Sequence, residues 1–314
     1  MTKYNAEQIK TEMVTVPFSF QPGPGDSNRA AKLYYAYANP NGDSDSQVRP
    51  ADIIAFTGFG HEERTTKIAA KKLVDLGRRG VILVGGLPFW RTDPSSSGFN
   101  RLVEASTAAL MEDMIDRKLY DGVSSLDDIG ESQGAYTAIK AAEANQNIRN
   151  INIMQPIGFR PDMTALGFMG GMAKTGLQDG IYSSSVTPLI TGSAVARLAQ
   201  DFVGSGGKGL GVALGFNAVP NLERLIGDGT GRQIDISASR KDRVFPYSSI
   251  ESALDDAAKD EEGGALLYPN IKRALGDHSL RLLEMDGPHA SFATDIGSRR
   301  LVAAVDRLRA KRAA

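Results

Sequence analysis

Residues 126–142 read LDDIGESQGAYTAIKAA, and this stretch decides the fold. The apolar run at 126–129 predicts a short strand, and the alanine-rich segment after Gly134 predicts a helix. Between them, Gly130-x-Ser132-x-Gly134 places a serine on a sharp turn across which larger side chains than glycine would collide. A helix that starts there aims its free N–H groups and positive dipole end at the serine. The alternative interpretation is a glycine-serine loop without chemistry.

Composition is that of an ordinary enzyme with a large core. The 314 residues suit one large domain or one domain with an insertion. Thirty-six basic and 37 acidic residues leave a net charge of −1, which argues against a nucleic acid or an anionic membrane as the main partner. The chain has no cysteine, so disulfides, thiolate nucleophiles and cysteine-bound zinc are excluded.

The sequence gives no sign of export or of a membrane span. Residues 1–10 lack the apolar core of a signal peptide, and no run approaches the roughly 20 apolar residues of a spanning helix. We therefore expect a cytoplasmic location. No metal and no cofactor is expected, and the oligomeric state stays open, with a homodimer as one alternative.

We call the sharp turn at residues 130–134 the elbow. Along the chain, strands and helices alternate four times, which predicts an α/β fold with a mostly parallel sheet covered on both faces. The first two strands are expected to lie antiparallel at its edge. Predicted strands lie at 13–20, 32–38, 51–57, 81–84, 126–129, 150–154, 233–237 and 280–285. Predicted helices lie at 62–78, 101–119, after the elbow, at 247–259 and at 290–312.

Regular alternation stops between residues 160 and 231. This interval is rich in glycine and contains methionine and aromatic residues, with helical segments expected near 163–175, 193–203 and 218–226. We expect a cap inserted above the elbow, with residues 1–159 and 232–314 forming the core. The alternative is a loose surface excursion, which is uncommon at this length.

A serine nucleophile needs a base, and the base needs an acid to orient it. In parallel sheets the reacting groups gather at the carboxyl ends of the strands. His278 precedes its strand and therefore lies at the wrong edge, whereas His61 and His289 each follow a strand. Asp242 follows the penultimate strand and is delivered beside the loop of His289, although a turn or helix-cap role is the alternative.

These residues resemble the α/β-hydrolase-fold serine hydrolases over about residues 50–312. The family order of nucleophile, acid and histidine is matched by Ser132, Asp242 and His289. The segment from Asp242 to Pro246 is similar to the Asp-x-apolar-x-Pro segment of the family, and Gly287-Pro288-His289 is similar to its histidine loop. The resemblance implies a lid after the sixth strand, where the cap is expected.

The same resemblance implies an oxyanion hole formed by backbone N–H groups. Its donors would be Phe59 and Gln133, the second being the residue after the nucleophile. The family often has His-Gly after the third strand, whereas this chain reads Thr57-Gly58-Phe59-Gly60. Because the donors are backbone groups, loss of that histidine leaves the hole intact, and the paired glycines let the backbone approach a substrate closely.

The resemblance implies acyl transfer to water, with a small-molecule carboxylic ester as the expected substrate. Thioester cleavage, amide cleavage, carbon–carbon bond hydrolysis and perhydrolysis use the same residues and stay open. A ligand-binding receptor of hydrolase fold is the alternative from another class. Methionine and aromatic residues in the cap favour an apolar acyl or alcohol group, or else form only the cap's own core. The expected pocket residues are Gly58, Gly60, His61, Trp90, Phe168 and Met172.

Overall fold

A computed structural model of the protein describes residues 9–18, 29–38, 50–58, 63–85, 96–160, 163–175 except 165, 169 and 172, 216–259 and 266–313. Within these ranges eight strands form one sheet. The strands are β1 Ile9–Phe18, β2 Arg29–Ala38, β3 Ile53–Phe56, β4 Val81–Val84, β5 Leu126–Glu131, β6 Ile148–Met154, β7 Gln233–Ala238 and β8 Leu280–Glu284. The helices are α1 Glu63–Asp75, α2 Ser96–Asp116, α3 Gln133–Ala144, α4 Ala218–Gly227, α5 Tyr247–Ala258, α6 Pro269–Gly276 and α7 Asp295–Ala313.

The sheet has the strand order β1-β2-β4-β3-β5-β6-β7-β8. Strand β2 is antiparallel to both of its neighbours, and the six strands from β4 to β8 run parallel to one another. The central strands β3 and β4 are short, apolar and buried along their whole length. Such continuous apolar runs are typical of parallel strands that are covered on both faces.

Helices cover both faces of the sheet and divide the core into two apolar clusters. The larger cluster packs α2 to α6 against one face and includes Tyr136, Leu222 and Ile250. The smaller cluster packs α1 and α7 against the other face through Leu73 and Leu301. Burying a side chain of this size contributes about 1.5–3 kcal/mol each relative to an exposed position.

The predicted fold class and the antiparallel edge are confirmed, and several element ends differ from the prediction. Helix α2, for example, begins at Ser96 rather than at residue 101, and β1 begins at Ile9 rather than at residue 13. Helix α6 was not predicted, because its eight residues bury only Ile271 and Ala274. Helix α7 begins at Asp295 rather than at residue 290, because residues 291–294 form a turn in which Thr294 Oγ1 donates to the carbonyl of Ser291 at 2.7 Å.

The division into a core and a cap stays a prediction, since residues 176–215 lie outside the described residues. The described residues between 166 and 175 are helical, and Phe168 among them is buried. Helix α4 lies in the second part of the predicted cap and buries Leu222 and Leu225 in the larger core cluster. None of the described helices is both long and apolar enough to cross a membrane.

Candidate active site

Ser132 occupies a strained turn between β5 and α3. Its backbone angles are φ 54° and ψ −116°, in a region that costs a residue with a side chain about 1–3 kcal/mol. Gly130 and Gly134 make this turn sterically possible. A Cβ on Gly130 would lie 2.5 Å from Ala135 Cα, and one on Gly134 would lie 2.2 Å from the carbonyl oxygen of Phe56. Both positions therefore admit only glycine.

The first turn of α3 presents free backbone donors beside Ser132. Gln133 is the first residue of the helix, where N–H groups have no partner inside the helix. The Ser132 side chain makes no capping hydrogen bond, so the positive end of the helix stays available to an anion. Gln133 is buried, and its side-chain amide has no hydrogen-bond partner among the described residues.

Asp242 and His289 form a buried hydrogen-bonded pair at the carboxyl edge of the sheet. Asp242 lies in the turn after β7, and His289 lies in the loop after β8. Asp242 Oδ2 and His289 Nδ1 are 2.9 Å apart. Asp242 Oδ1 accepts from the N–H groups of Val244 at 2.7 Å and of Phe245 at 2.9 Å. This arrangement makes Nδ1 the protonated nitrogen and leaves Nε2 of His289 free to act as a base.

Burial and charge act in opposite directions on this pair. Burial alone would lower the pKa of His289, but the Asp242 carboxylate, its hydrogen bond and the Glu131 carboxylate outweigh burial and raise that pKa. Burial alone would raise the pKa of Asp242, but the charge and hydrogen bond of His289 and the two backbone N–H groups lower it below its usual range. The site therefore holds an ionised acid beside a base that titrates above the usual histidine value.

Glu131, the residue before Ser132, links three parts of the site. Its carboxylate Oε2 accepts from the N–H of Phe292 at 3.3 Å and also takes a hydrogen bond from the N–H of Gly58. Burial raises the pKa of Glu131 to about 7, although His289 and these N–H groups oppose the increase. The sequence analysis did not single out Glu131, because its burial follows only from the packing of the histidine loop over the elbow.

Gly58 brings the loop after β3 against the elbow. A Cβ on Gly58 would lie 3.0 Å from Ser132 Cβ. The backbone of Gly58 therefore lies closer to Ser132 than a residue with a side chain would easily permit. Five other expected pocket and oxyanion residues, from this loop, from the segment after β4 and from the predicted cap, lie outside the described residues, namely Phe59, Gly60, His61, Trp90 and Met172.

Phe168 connects the described part of the predicted cap to the base. Its ring centroid is 6.3 Å from that of Phe245, whose ring in turn meets the imidazole of His289 edge-on at 5.6 Å.

Ser132 Oγ has no hydrogen-bond partner among the described residues, and catalytic hydrogen bonds of this kind often tighten only when substrate binds. In the described part of the chain, no group of three or more His, Asp or Glu side chains is placed to hold a metal ion.

The sheet order and the elbow define the α/β-hydrolase fold, and comparison with solved structures confirms it. A candidate aryl esterase from Burkholderia cenocepacia matches 97% of this chain and 100% of its own at 14% identity, with a TM-score of 0.56. A thermophilic esterase from Thermogutta terrifontis matches 96% and 98% at 12% identity, with a TM-score of 0.52. A serine hydrolase from the polyaromatic hydrocarbon-degrading bacterium Cycloclasticus zankles gives the same four values.

Sequence comparison adds nothing to this result. No known protein family's sequence profile matches the chain, and no curated protein matches it. The likeness at 12–14% identity establishes the fold, and the reaction has to be argued from the site.

Proposed function

We propose that the protein is a serine hydrolase that cleaves carboxylic esters through an acyl-enzyme on Ser132. The observation that carries the proposal is the buried Asp242–His289 hydrogen bond at the sheet edge where the Ser132 elbow lies. An ionised acid, an oriented imidazole and a strained serine before a helix N-terminus are the parts that acyl transfer needs.

In the acylation step, His289 Nε2 takes the proton from Ser132 Oγ as the oxygen attacks the ester carbonyl. The tetrahedral oxyanion is stabilised by the N–H groups of Gln133 and Phe59. Loss of one such donor typically costs about 3–4 kcal/mol of barrier. When the intermediate collapses, the C–O bond to the alcohol breaks, and the alcohol leaves with the proton from His289. The acyl group then stays on Ser132.

In the deacylation step, a water molecule gives a proton to His289 and its oxygen attacks the acyl carbon. The second tetrahedral intermediate releases the carboxylic acid, and Ser132 Oγ recovers the proton. Asp242 stays ionised throughout and stabilises the imidazolium that forms twice in the cycle. Its low pKa, which His289 and the backbone N–H groups maintain against burial, fits this role.

Esters are the first substrates to test, because the structural neighbours include proteins described as esterases. A small apolar acyl or alcohol group would lie between the elbow and the predicted cap at 160–231. Among the proposed pocket residues, Gly58 lies beside Ser132 and Phe168 contacts Phe245. The proposed pocket also includes Gly60, His61, Trp90 and Met172. Core residues 1–159 and 232–314 would carry the triad.

Two alternatives use the same residues. Thioesterase and carbon–carbon hydrolase activity differ in the bond presented to Ser132, whereas perhydrolase activity differs in the acceptor, because hydrogen peroxide replaces water in the attack on the acyl-enzyme. A receptor of hydrolase fold would bind a ligand without turnover. A cytoplasmic location and a homodimeric state stay predictions from the sequence.

The test is a panel of nitrophenyl esters of rising acyl length, beside a thioester and an anilide, with wild-type protein and Ser132→Ala. We expect turnover of at least one short ester and a loss of about 10⁴-fold or more in the variant, since the covalent route is gone. A fluorophosphonate should add its mass to the peptide that contains Ser132.

Ser106→Ala is the matched control. Ser106 is a buried serine on α2 whose hydroxyl has no hydrogen-bond partner among the described residues. This variant should keep the wild-type rate and labelling. Near wild-type turnover by folded Ser132→Ala would overturn the mechanism. Labelling of the wild type without turnover of any substrate would favour the receptor.

A further inference from the structure

Gln155 follows β6 directly and, like Ser132, has a positive φ. The described residues with a side chain and positive φ are Lys118, Ser132, Gln155 and His278. Lys118 and His278 are exposed turn residues, whereas Gln155 is only 1% exposed. Its φ is 47°, and the chain after it runs beside the elbow, since Ile157 N–H donates to the Ser132 carbonyl at 3.4 Å. Strain at a buried position indicates a constrained function rather than a free turn.

The side chain of Gln155 joins the acid to the histidine loop. Its Nε2 donates to Asp242 Oδ2 at 2.9 Å and to the carbonyl of Pro288 at 3.1 Å. Its Oε1 accepts from the N–H of Ala290 at 3.2 Å and from Arg300 Nη1 at 3.1 Å. The contacts therefore hold the residues immediately before and after His289, as well as the carboxylate that orients its ring.

These partners fix the orientation of the amide. Asp242 Oδ2 and the Pro288 carbonyl can only accept, and the Ala290 N–H and the Arg300 guanidinium can only donate. Arg300 also holds the loop before His289. Its Nη1 donates to the Pro288 carbonyl at 2.9 Å, and its Nη2 donates to the carbonyl of Asp286. Both polar atoms of the Gln155 side chain are therefore fully used, and the side chain itself is buried.

The same contacts complete the coordination of the acid. Asp242 accepts four hydrogen bonds, two at Oδ1 from backbone N–H groups and two at Oδ2 from His289 and Gln155. A carboxylate offers about four such positions, so its place and its ionised state are fully determined. The only part of this network that moves a proton in the proposed reaction is the imidazole.

We propose that Gln155 is a positioning residue that locks Asp242 and the His289 loop into one unit, with its amide holding the acid and the two sides of the base together. This inference rests on the proposed function for its catalytic meaning, but the lock itself is testable without turnover. By holding residues 288 and 290, Gln155 fixes the backbone on both sides of His289. By donating to Oδ2, it takes up part of the negative charge that otherwise stabilises the imidazolium.

The test uses Gln155→Met, which keeps the length of the side chain and removes all four hydrogen bonds, and Gln155→Ala. Both are placed in a protein that carries His61→Gln and His278→Gln, so that nuclear magnetic resonance follows the titration of His289 alone. The charged groups that face His289 are Asp242, Glu131 and Arg300, and all three are unchanged. With one donor lost, Asp242 stabilises the imidazolium more strongly, and the midpoint should move up by about half a pH unit or more.

Reactivity gives a second readout. At a pH about two units above the titration midpoint measured for each protein, where the imidazole is largely neutral, fluorophosphonate labelling should slow about 10²-fold because the base is displaced. The kcat for nitrophenyl acetate should fall by a similar factor while KM changes little. This split separates lost positioning from lost binding.

Asn221→Leu is the control for loss of a buried amide. Asn221 Nδ2 donates to the carbonyl of Asn217 at 2.8 Å on α4, away from the histidine loop. This variant should melt at a lower temperature with the His289 midpoint unchanged. An unchanged midpoint together with an unchanged labelling rate in folded Gln155→Met overturns the proposal, as does failure of both Gln155 variants to fold where Asn221→Leu folds. If the midpoint moves as expected but the wild type neither labels nor turns over, the proposed function is wrong and the lock stands.

Discussion

Three charged side chains from three parts of the fold act on His289. Asp242 comes from the turn after β7, Glu131 from the end of β5, and Arg300 from α7. The two carboxylates raise the pKa of the imidazole, while burial and Arg300 lower it. The pH profile of the enzyme should therefore be that of the whole group and not of an isolated histidine.

The first residue-scale prediction concerns that profile. The base must be neutral to accept a proton, and its pKa is raised, so kcat/KM for nitrophenyl acetate should rise with pH through a midpoint above about 6.5. The sequence alone predicts the unperturbed value. We expect His289→Ala to abolish turnover, while His278→Ala, at an exposed turn, changes nothing.

His61→Ala is the informative comparison, although His61 lies outside the described residues. It follows β3, and Glu62-Glu63-Arg64 leads directly into a helix, which predicts a position at the rim of the pocket and a loss of about tenfold or less. A triad acid matters by about 10⁴-fold through tautomer and orientation. An inactive His61→Ala beside an active His289→Ala would show that the triad is misassigned.

The second residue-scale prediction concerns Glu131. Its carboxylate helps to raise the pKa of His289, and burial raises its own pKa to about 7. Glu131→Gln keeps an oxygen for the Phe292 and Gly58 N–H groups but removes the charge. We expect the kcat/KM profile to shift to lower pH, with the plateau rate within about tenfold of wild type because Ser132, Asp242 and His289 are untouched.

A profile that stays in place in folded Glu131→Gln would contradict this prediction. Glu143→Gln is the matched control, since Glu143 forms a half-buried ion pair with Lys140 on α3, with Nζ and Oε2 2.6 Å apart, outside the triad. Its profile should coincide with that of the wild type.

At the scale of elements, the turn between β5 and α3 depends on the absence of a side chain at Gly134. Gly134→Ala would place Cβ against the Phe56 carbonyl on β3, which is backbone and cannot rotate away. We expect a loss of about 3 kcal/mol or more in the free energy of unfolding, at the upper end of overpacking effects. Urea denaturation followed by circular dichroism measures it.

Gly276→Ala is the control for this change. Gly276 is the last residue of α6, and a Cβ there meets nothing within 4 Å. Alanine is the better helix former, so this variant should be neutral or more stable by up to about 1 kcal/mol. Equal stability of the two alanine variants would show that the elbow is not packed as described.

Elements with local signals could be predicted from the sequence, and those that depend on tertiary contacts could not. Short apolar runs in the sequence predict buried strands such as β3 and β4, and the spacing of Gly130, Ser132 and Gly134 predicts the elbow. Short α6 has too few apolar positions to be recognised. Gln155 and Glu131 carry no sequence pattern, because their roles come from loops that the chain reaches more than 130 residues later.

At the scale of the whole molecule, helix α7 ties the amino edge of the sheet together with ion pairs. Arg309 reaches Asp52 before β3, with Nη2 and Oδ1 2.8 Å apart. Arg312 Nε donates to Asp127 Oδ2 on β5 at 2.6 Å. Burial nevertheless raises the pKa of Asp127, so Arg312 and Asn150 offset only part of the cost of burying this carboxylate.

This balance predicts that Arg312→Met destabilises the protein by about 1–3 kcal/mol at neutral pH. A buried carboxyl with a raised pKa opposes folding when it is ionised, and the opposition disappears as falling pH protonates it in the folded state. Without Arg312 that pKa rises further, so the difference from wild type should be largest at neutral pH and shrink in mild acid. Denaturation at several pH values measures it.

Arg299→Met on the same helix is the control, since Arg299 is exposed and bonds only the carbonyl of Asp295. It should cost about 0.5 kcal/mol or less at every pH. A loss in Arg312→Met that does not depend on pH would indicate lost packing alone.

Because α7 starts beside the histidine loop and its last turn bonds the carbonyls of Asp52 and Ser125, it runs from the catalytic edge of the sheet to the opposite edge. Its 19 residues span about 28 Å. Anything joined to the chain after Ala313 therefore departs on the far side from Ser132. A purification tag, a fluorescent partner or a link to a solid support attached at that point would lie at the opposite edge of the sheet from Ser132.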